Sequence, residues 1–250
     1  MDQIILNTFA RNIFRKQADC DYIAARSNYR TRLRQQFLWS AQQAIEKYLK
    51  AILLFNGRSA RYILPDVSEK EFIHNLDTLL VEIQKISHLK FEIEPDDQKF
   101  LSYLSHQGGK NRYLSTSAYN TSDAIHRLDR LVWHIRRYCQ YIPDRGIGFH
   151  EAVPGMREAF VSSINDPSWK KLPHSFTLFA GEAGDLERLI KSDPKDPARL
   201  ALLWANLFYG KKKRLHVIYD SFSSTEIPPN ENMHDYPNVD WKVLEKFVKL

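Results

Sequence analysis

From residue 10 to residue 56 the chain contains neither glycine nor proline. Nothing in that stretch interrupts a helix, and its apolar residues recur at helical spacing. Ala18, Tyr22, Ala25, Tyr29 and Leu33 follow one another by three or four positions. The pattern strengthens through Phe37, Leu38, Ala41, Ala44, Ile45, Tyr48, Leu49, Ile52 and Leu53, which is the signature of helices packed into a core. Asn56-Gly57 then supplies a stop. The spacing predicts one helix over 9–30 and a second over 34–55.

Beyond this pair the punctuation becomes denser. Residues 57–70 read as a charged loop. A third helix is expected over 74–86, with Leu76, Leu79, Leu80, Ile83 and Ile86 on its apolar face. Pro95 opens a fourth segment, Asp96–Ser105, expected to end at Gly108-Gly109. A polar loop leads to Thr121-Ser122-Asp123, whose side-chain oxygens suit the first turn of a helix running to about Gln140. From Pro143 onward the texture changes. Ser175–Ala180 and Leu215–Tyr219 are rich in β-formers and read as strands. Segments 185–191, 198–209 and 241–250 read as helices, and 221–240 as a loop. The expected organisation is mainly α: an all-helical domain over 1–145 and a smaller α+β part over 146–250.

Composition narrows the function classes. Hydrophobic residues are 43% and charged residues 26% of the 250, which excludes disordered and collagen-like chains. The two cysteines, Cys20 and Cys139, are far apart and form no CxxC pair, so a reducing, cytoplasmic setting is expected. The longest apolar runs fall short of the ~20 residues that span a bilayer, and the N-terminus does not read as a signal peptide. Residues 151–250 carry 14 basic and 14 acidic side chains, so the whole net charge of +6 lies in residues 1–150. A basic domain attracts polyanions, which makes RNA a candidate partner. The nine histidines show no i, i+4 ligand pair, and neither a metal nor a cofactor is expected.

The second helix, Phe37–Gly57, carries the run Gln42-Gln43-Ala44-Ile45-Glu46-Lys47 followed by Lys50-Ala51. This run resembles the second helix of HEPN domains, helical bundles of prokaryotic toxins and defence proteins. Asp19-Cys20-Asp21-Tyr22-Ile23-Ala24-Ala25-Arg26 is similar to that family's first helix. His74-Asn75-Leu76-Asp77-Thr78-Leu79 is similar to the start of its third helix, and Asn111-Arg112-Tyr113 to the turn before its last. The resemblance covers about residues 15–140. It implies a four- or five-helix bundle, a homodimer and, for many members, metal-independent cleavage of RNA by an Arg and a His four to six residues apart on the last helix.

Arg127 and His134 fit that spacing. RNA cleaves itself when its 2′-hydroxyl attacks the adjacent phosphate. An imidazole titrates near neutrality and can take or give the proton. A guanidinium pairs with phosphate oxygens as charge builds there. Seven helical steps of ~100° bring the two residues within ~20° of one another. They fall at the rim of a core face made by Ile125, Leu128, Val132, Ile135 and Cys139. Arg130 and Arg137 are expected further toward solvent and, with Arg112 and Lys110, as RNA contacts.

Other signals are weaker. Arg145 and His150 also have four residues between them, but in a glycine-containing loop of unfixed geometry. His106-Gln107-Gly108-Gly109-Lys110 lacks the strand and helix of a P-loop, and Lys211-Lys212-Lys213-Arg214 reads first as a solvated helix end. The sequence therefore supports two functions. One is a dimeric endoribonuclease in a toxin or antiphage role. The other is a non-catalytic module that binds a nucleotide or a partner protein such as an antitoxin.

Overall fold

The computed structural model describes residues 2–64, 67–71, 75–111, 123–141, 155–166, 184–206 and 208–209. The chain is mainly helical. It opens as one continuous helical rod: α1 (Asp2–Phe9), a π-helical stretch (Ala10–Arg15) and α2 (Lys16–Arg30). The rod begins earlier than the apolar spacing indicated, because the N-terminal residues 2–9 extend it. Ile5, Phe9 and Ile13, at i, i+4 and i+8 of this rod, are large apolar side chains left exposed.

The rod ends without glycine. The Leu33 amide bonds the Asn28 carbonyl at 2.8 Å and the Arg32 amide the Tyr29 carbonyl at 3.0 Å. Arg32 takes φ +64° to close that turn, a left-handed conformation usually left to glycine or asparagine. Helix α3 (Arg34–Phe55) follows over the range that its periodicity predicts. Fourteen of its 22 residues are buried, and it packs on α2 and on the later helices of the bundle, so it is the bundle's central helix. Gln42 and Glu46, which the helical pattern leaves among its polar residues, are buried too. The Gln42 amide donates to Glu46 at 2.9 Å, and the Lys50 ammonium reaches the other Glu46 oxygen at 2.6 Å.

The charged segment after α3 is not wholly a loop. Arg61–Leu64 (β1) and Val67–Glu71 (β2) pair antiparallel, Arg61 opposite Glu71 and Tyr62 opposite Lys70. Helix α4 (Leu76–Gln84) is capped by Asn75, whose side chain accepts from the Thr78 amide at 3.0 Å. Helix α5 (Pro95–Asn111) passes through Gly108-Gly109 instead of stopping there. Helix α6 (Ala124–Arg136) closes the bundle. Asp123 precedes it, but its side chain makes no capping hydrogen bond to the first-turn amides.

Among the described residues three further helices lie beyond the bundle: α7 (Met156–Asn165), α8 (Asp185–Ile190) and α9 (Pro197–Leu203). Ile164, Leu186, Leu202 and Tyr209 join the same apolar core as α2–α6. Trp133 of α6 stacks on Phe208, with centroids 5.3 Å apart, and meets Tyr209 edge-on at 5.4 Å. The strands expected over 175–180 and 215–219, the helix over 241–250 and the loop over 221–240 lie outside the described residues.

Candidate functional site

Helix α6 has 13 residues, and ten of them are buried. The three that are not are Arg127, Arg130 and His134, at i, i+3 and i+7. The helix therefore shows solvent a single stripe, and every residue of that stripe is a cation or an imidazole. Two internal ion pairs fix this register. Asp129 and Arg136 are also seven residues apart, and each lies two positions beyond a member of the Arg127/His134 pair. Two helical steps are about 200°, so burying Asp129 and Arg136 turns Arg127 and His134 outward.

Arg136 is the centre of the first buried cluster. Its guanidinium is bidentate on Asp19 of α2, with Nε to Oδ1 at 2.7 Å and Nη2 to Oδ2 at 2.8 Å. It also holds Glu187 of α8 through Nη1 at 2.6 Å and Nη2 at 3.0 Å. Asp19 accepts a further hydrogen bond from the Tyr48 hydroxyl at 2.5 Å. Arg15 is buried alongside. Burial, and then the neighbouring Arg136 charge, pull its guanidinium below the ordinary arginine value. Gly184 is the backbone that makes room. A Cβ there would lie 2.7 Å from Arg136 Nη2 and would collide with the Glu187 carboxylate.

Asp129 centres the second cluster. It pairs with Arg26 and accepts from the Tyr22 hydroxyl at 2.6 Å. Arg26 also donates to the carbonyls of Ala201, at 3.1 Å, and Trp204. It thus supplies the donors that the last turn of α9 needs. Asn206 ties its side-chain amide to the Tyr22 hydroxyl at 3.0 Å. Arg15, Asp19, Arg26, Asp129, Arg136 and Glu187 sum to zero formal charge, which allows them to lie together out of water. Apolar spacing alone does not reveal these residues. The available signal is the spacing of Arg15, Asp19, Tyr22 and Arg26 by four, three and four, which puts charges on the same helical face as Ala18 and Ala25.

The outward stripe is polar and tethered. Arg127 is one-third exposed, and its Nε contacts Asp123 Oδ2 at 2.6 Å. Arg130 is half exposed and contacts Asp97, at the start of α5, at 2.6 Å. Burial raises the Asp97 carboxyl above its ordinary value although Arg130 pulls it down. His134 is half-buried, with its ring centroid 5.7 Å from Phe91 and 5.8 Å from Tyr138. Its Nε2 atom is enclosed.

The remaining expected contacts divide. Arg137 is not on the solvent side. It is buried, donates to the Tyr138 hydroxyl at 2.7 Å and lies over that ring at 4.7 Å. Its backbone stays in the right-handed helical region at φ −61°, ψ −29°, so the burial comes from what surrounds the side chain: the Tyr138 ring and the Asp166 carbonyl, 3.5 Å from Nη1. Lys110 belongs to the last turn of α5. Arg112, Arg145 and His150 lie outside the described residues, as does the Lys211–Arg214 run. Among the described residues no three His, Cys, Asp or Glu are grouped as a metal site, and no helix is long and apolar enough to cross a membrane.

Compared with known proteins, the chain matches the family model described as HEPN domain over residues 12–140. That span runs from the π-helical stretch through the end of α6 and is more than half of the chain. The part beyond residue 140 is not covered. Neither the curated proteins nor the solved structures give a match.

Proposed function

The chain belongs to the HEPN domain family, and from that premise we propose that it is a metal-independent endoribonuclease, acting as a homodimer in a toxin or antiphage role. The observation that carries this reading is the composition of the one solvent-facing stripe of α6: Arg127, Arg130 and His134 and nothing else.

The chemistry follows from the residue types. His134 takes the proton of a ribose 2′-hydroxyl as that oxygen bonds to phosphorus. The bond from phosphorus to the 5′-oxygen breaks, and the leaving oxygen receives a proton from a second imidazole. The products are a 2′,3′-cyclic phosphate and a 5′-hydroxyl end. Arg127 neutralises the phosphoryl oxygens as charge accumulates on them, and Arg130 binds a neighbouring phosphate. Seven residues of helix are about 10.5 Å of rise, so Arg127 and His134 of one copy do not by themselves bracket a single phosphate. A two-fold copy supplies the missing half and the second imidazole. Asp123 must release Arg127 when RNA arrives. Exposed pairs of this kind contribute about 0–1 kcal/mol, so phosphate displaces the carboxylate at little cost.

A second reading is a non-catalytic module that binds RNA, a nucleotide or a protein partner. The enclosure of His134 Nε2 favours it, because only one ring nitrogen would then be open to substrate. Incubating the purified protein with total RNA in EDTA separates the two. Fragments ending in cyclic phosphate are the result expected of the nuclease. RNA that stays intact while it binds the protein would leave only the binding module.

A further inference from the structure

A cleft of about 660 Å³ lies between α7 and the connection from α4 to α5, outside the family-matched region on its α7 side. One asparagine holds its walls together. Asn165 donates to the His88 carbonyl at 2.9 Å and accepts from the Lys90 amide at 2.8 Å. Phe160 and Ile164 of α7 are buried at the same time, so α7 is seated on the bundle with its polar edge facing the cleft.

That edge is rich in donors. His88, Lys90 and Arg157 line the cleft together with Glu158, Ser162 and Asp166. The Arg157 Nε is enclosed and, among the described residues, has no hydrogen-bond acceptor. Arg137 comes in from behind, its Nη1 3.5 Å from the Asp166 carbonyl, and its Nε is likewise enclosed without an acceptor. Arg58 anchors beside the cleft on the Lys85 carbonyl at 3.0 Å. Burial first, then the charges of Arg157 and Arg58, push the His88 imidazole below its ordinary value. In the lining itself Lys90 and Arg157 balance Glu158 and Asp166; the further positive charge comes from Arg58 beside the cleft and Arg137 behind it. His88 is oriented by Asn56, whose Oδ1 lies 2.7 Å from His88 Nε2. Asn56 spends its own amide on the Ile52 carbonyl at 2.7 Å, so that Oδ1 is the acceptor and His88 Nε2 the donor.

We propose that this cleft binds a phosphorylated small molecule by its terminal phosphate, with Arg157 and Lys90 as the anchoring cations and Ser162 as a neutral donor. The enclosed Arg157 N–H lacking an acceptor, Lys90 in the same lining, the guanidinium charges of Arg58 and Arg137 next to it and room for a drug-sized ligand converge on one occupant class: a compact, multiply charged oxyanion with several acceptor oxygens. None of Arg127, Arg130 and His134 lines the cleft, and its ligand is not the RNA that Arg127 and His134 would cleave.

The test is titration of the full-length protein with inorganic phosphate, followed by calorimetry and by the rise in melting temperature. Saturable binding is expected, weakened about tenfold or more by Arg157→Gln and less by Lys90→Gln, since Lys90 is exposed. Both variants should melt like the parent without phosphate, which shows that they fold. A second arm compares a 5′-phosphorylated oligoribonucleotide with its 5′-hydroxyl form. Equal or weaker binding of the phosphorylated oligomer than of phosphate is expected of a small-molecule site. Tighter binding would transfer the site to RNA ends and overturn the assignment. Absence of saturable phosphate binding, or binding unchanged by Arg157→Gln, would also overturn it. The Arg127/His134 reading survives either result, because RNA cleavage in EDTA is measured separately.

Discussion

Replacing Glu187 by Gln keeps the shape of the side chain and removes one charge from a sealed cluster. Arg15, Asp19, Arg136 and Glu187 are all under about 6% exposed and balance two against two. The variant leaves two guanidinium groups sharing one carboxylate, with Arg15 already destabilised as a cation by burial and by Arg136. Breaking a buried pair on one side costs about 3–5 kcal/mol. The introduced glutamine would still accept one hydrogen bond from Arg136, so the lower end, about 3 kcal/mol, is expected. For a chain of this size each kcal/mol moves the melting temperature by about 2–4 °C, which gives a fall of roughly 6–12 °C. The assay is urea and thermal unfolding followed by fluorescence and far-ultraviolet circular dichroism. Glu82→Gln serves as control, since the Lys85–Glu82 pair is exposed and its loss should cost under about 1 kcal/mol. If Glu187→Gln and Glu82→Gln destabilised the protein equally, the cluster would be wet. The cluster would then not set the register of α6.

The two thiols should differ in reactivity. Burial pushes the Cys139 thiol up to about 12, whereas Cys20 is exposed, so a thiol reagent near pH 8 should label one equivalent in the native protein and two in denaturant; two native equivalents would refute the buried position of Cys139. His88 predicts a pH effect of definite sign. Its folded value lies below the ordinary 6.5, so between those two values the unfolded chain binds the extra proton and stability falls as pH drops through the window. His88→Gln should flatten that slope, and identical slopes for parent and variant from about pH 7 to pH 5 would contradict the shift.

Much of the bundle could be read from residues alone, and the reasons are local. Arg34–Phe55 has an uninterrupted apolar period and a clean stop, so its range is legible. The face Ile125, Leu128, Val132, Ile135 and Cys139 is buried as its spacing indicates. What escaped depends on tertiary contacts. Gly108-Gly109 does not end α5. The hairpin at 61–71 sits in a charged segment whose alternation is too short to stand out. Arg137 and Arg136 are adjacent, and nothing local says that one embraces Asp19 and Glu187 while the other turns onto Tyr138. Asp19 and Arg26 stand among apolar positions of α2, but their partners are 117 and 103 residues away, a distance at which no periodicity speaks. Arg127 and His134 were legible as a rim pair because the rim is a property of one helix. The two-fold partner proposed for them is not such a property.

The most direct measurement is the single-turnover rate of RNA cleavage in EDTA by the parent protein, His134→Ala and Arg127→Ala, with folding checked by melting temperature. Removing a general acid–base should slow cleavage by about 10²–10⁴-fold, and removing Arg127 should slow it comparably, while both variants stay folded. Cleavage by His134→Ala at the parent rate, or no cleavage by the parent at any protein concentration, would contradict the account.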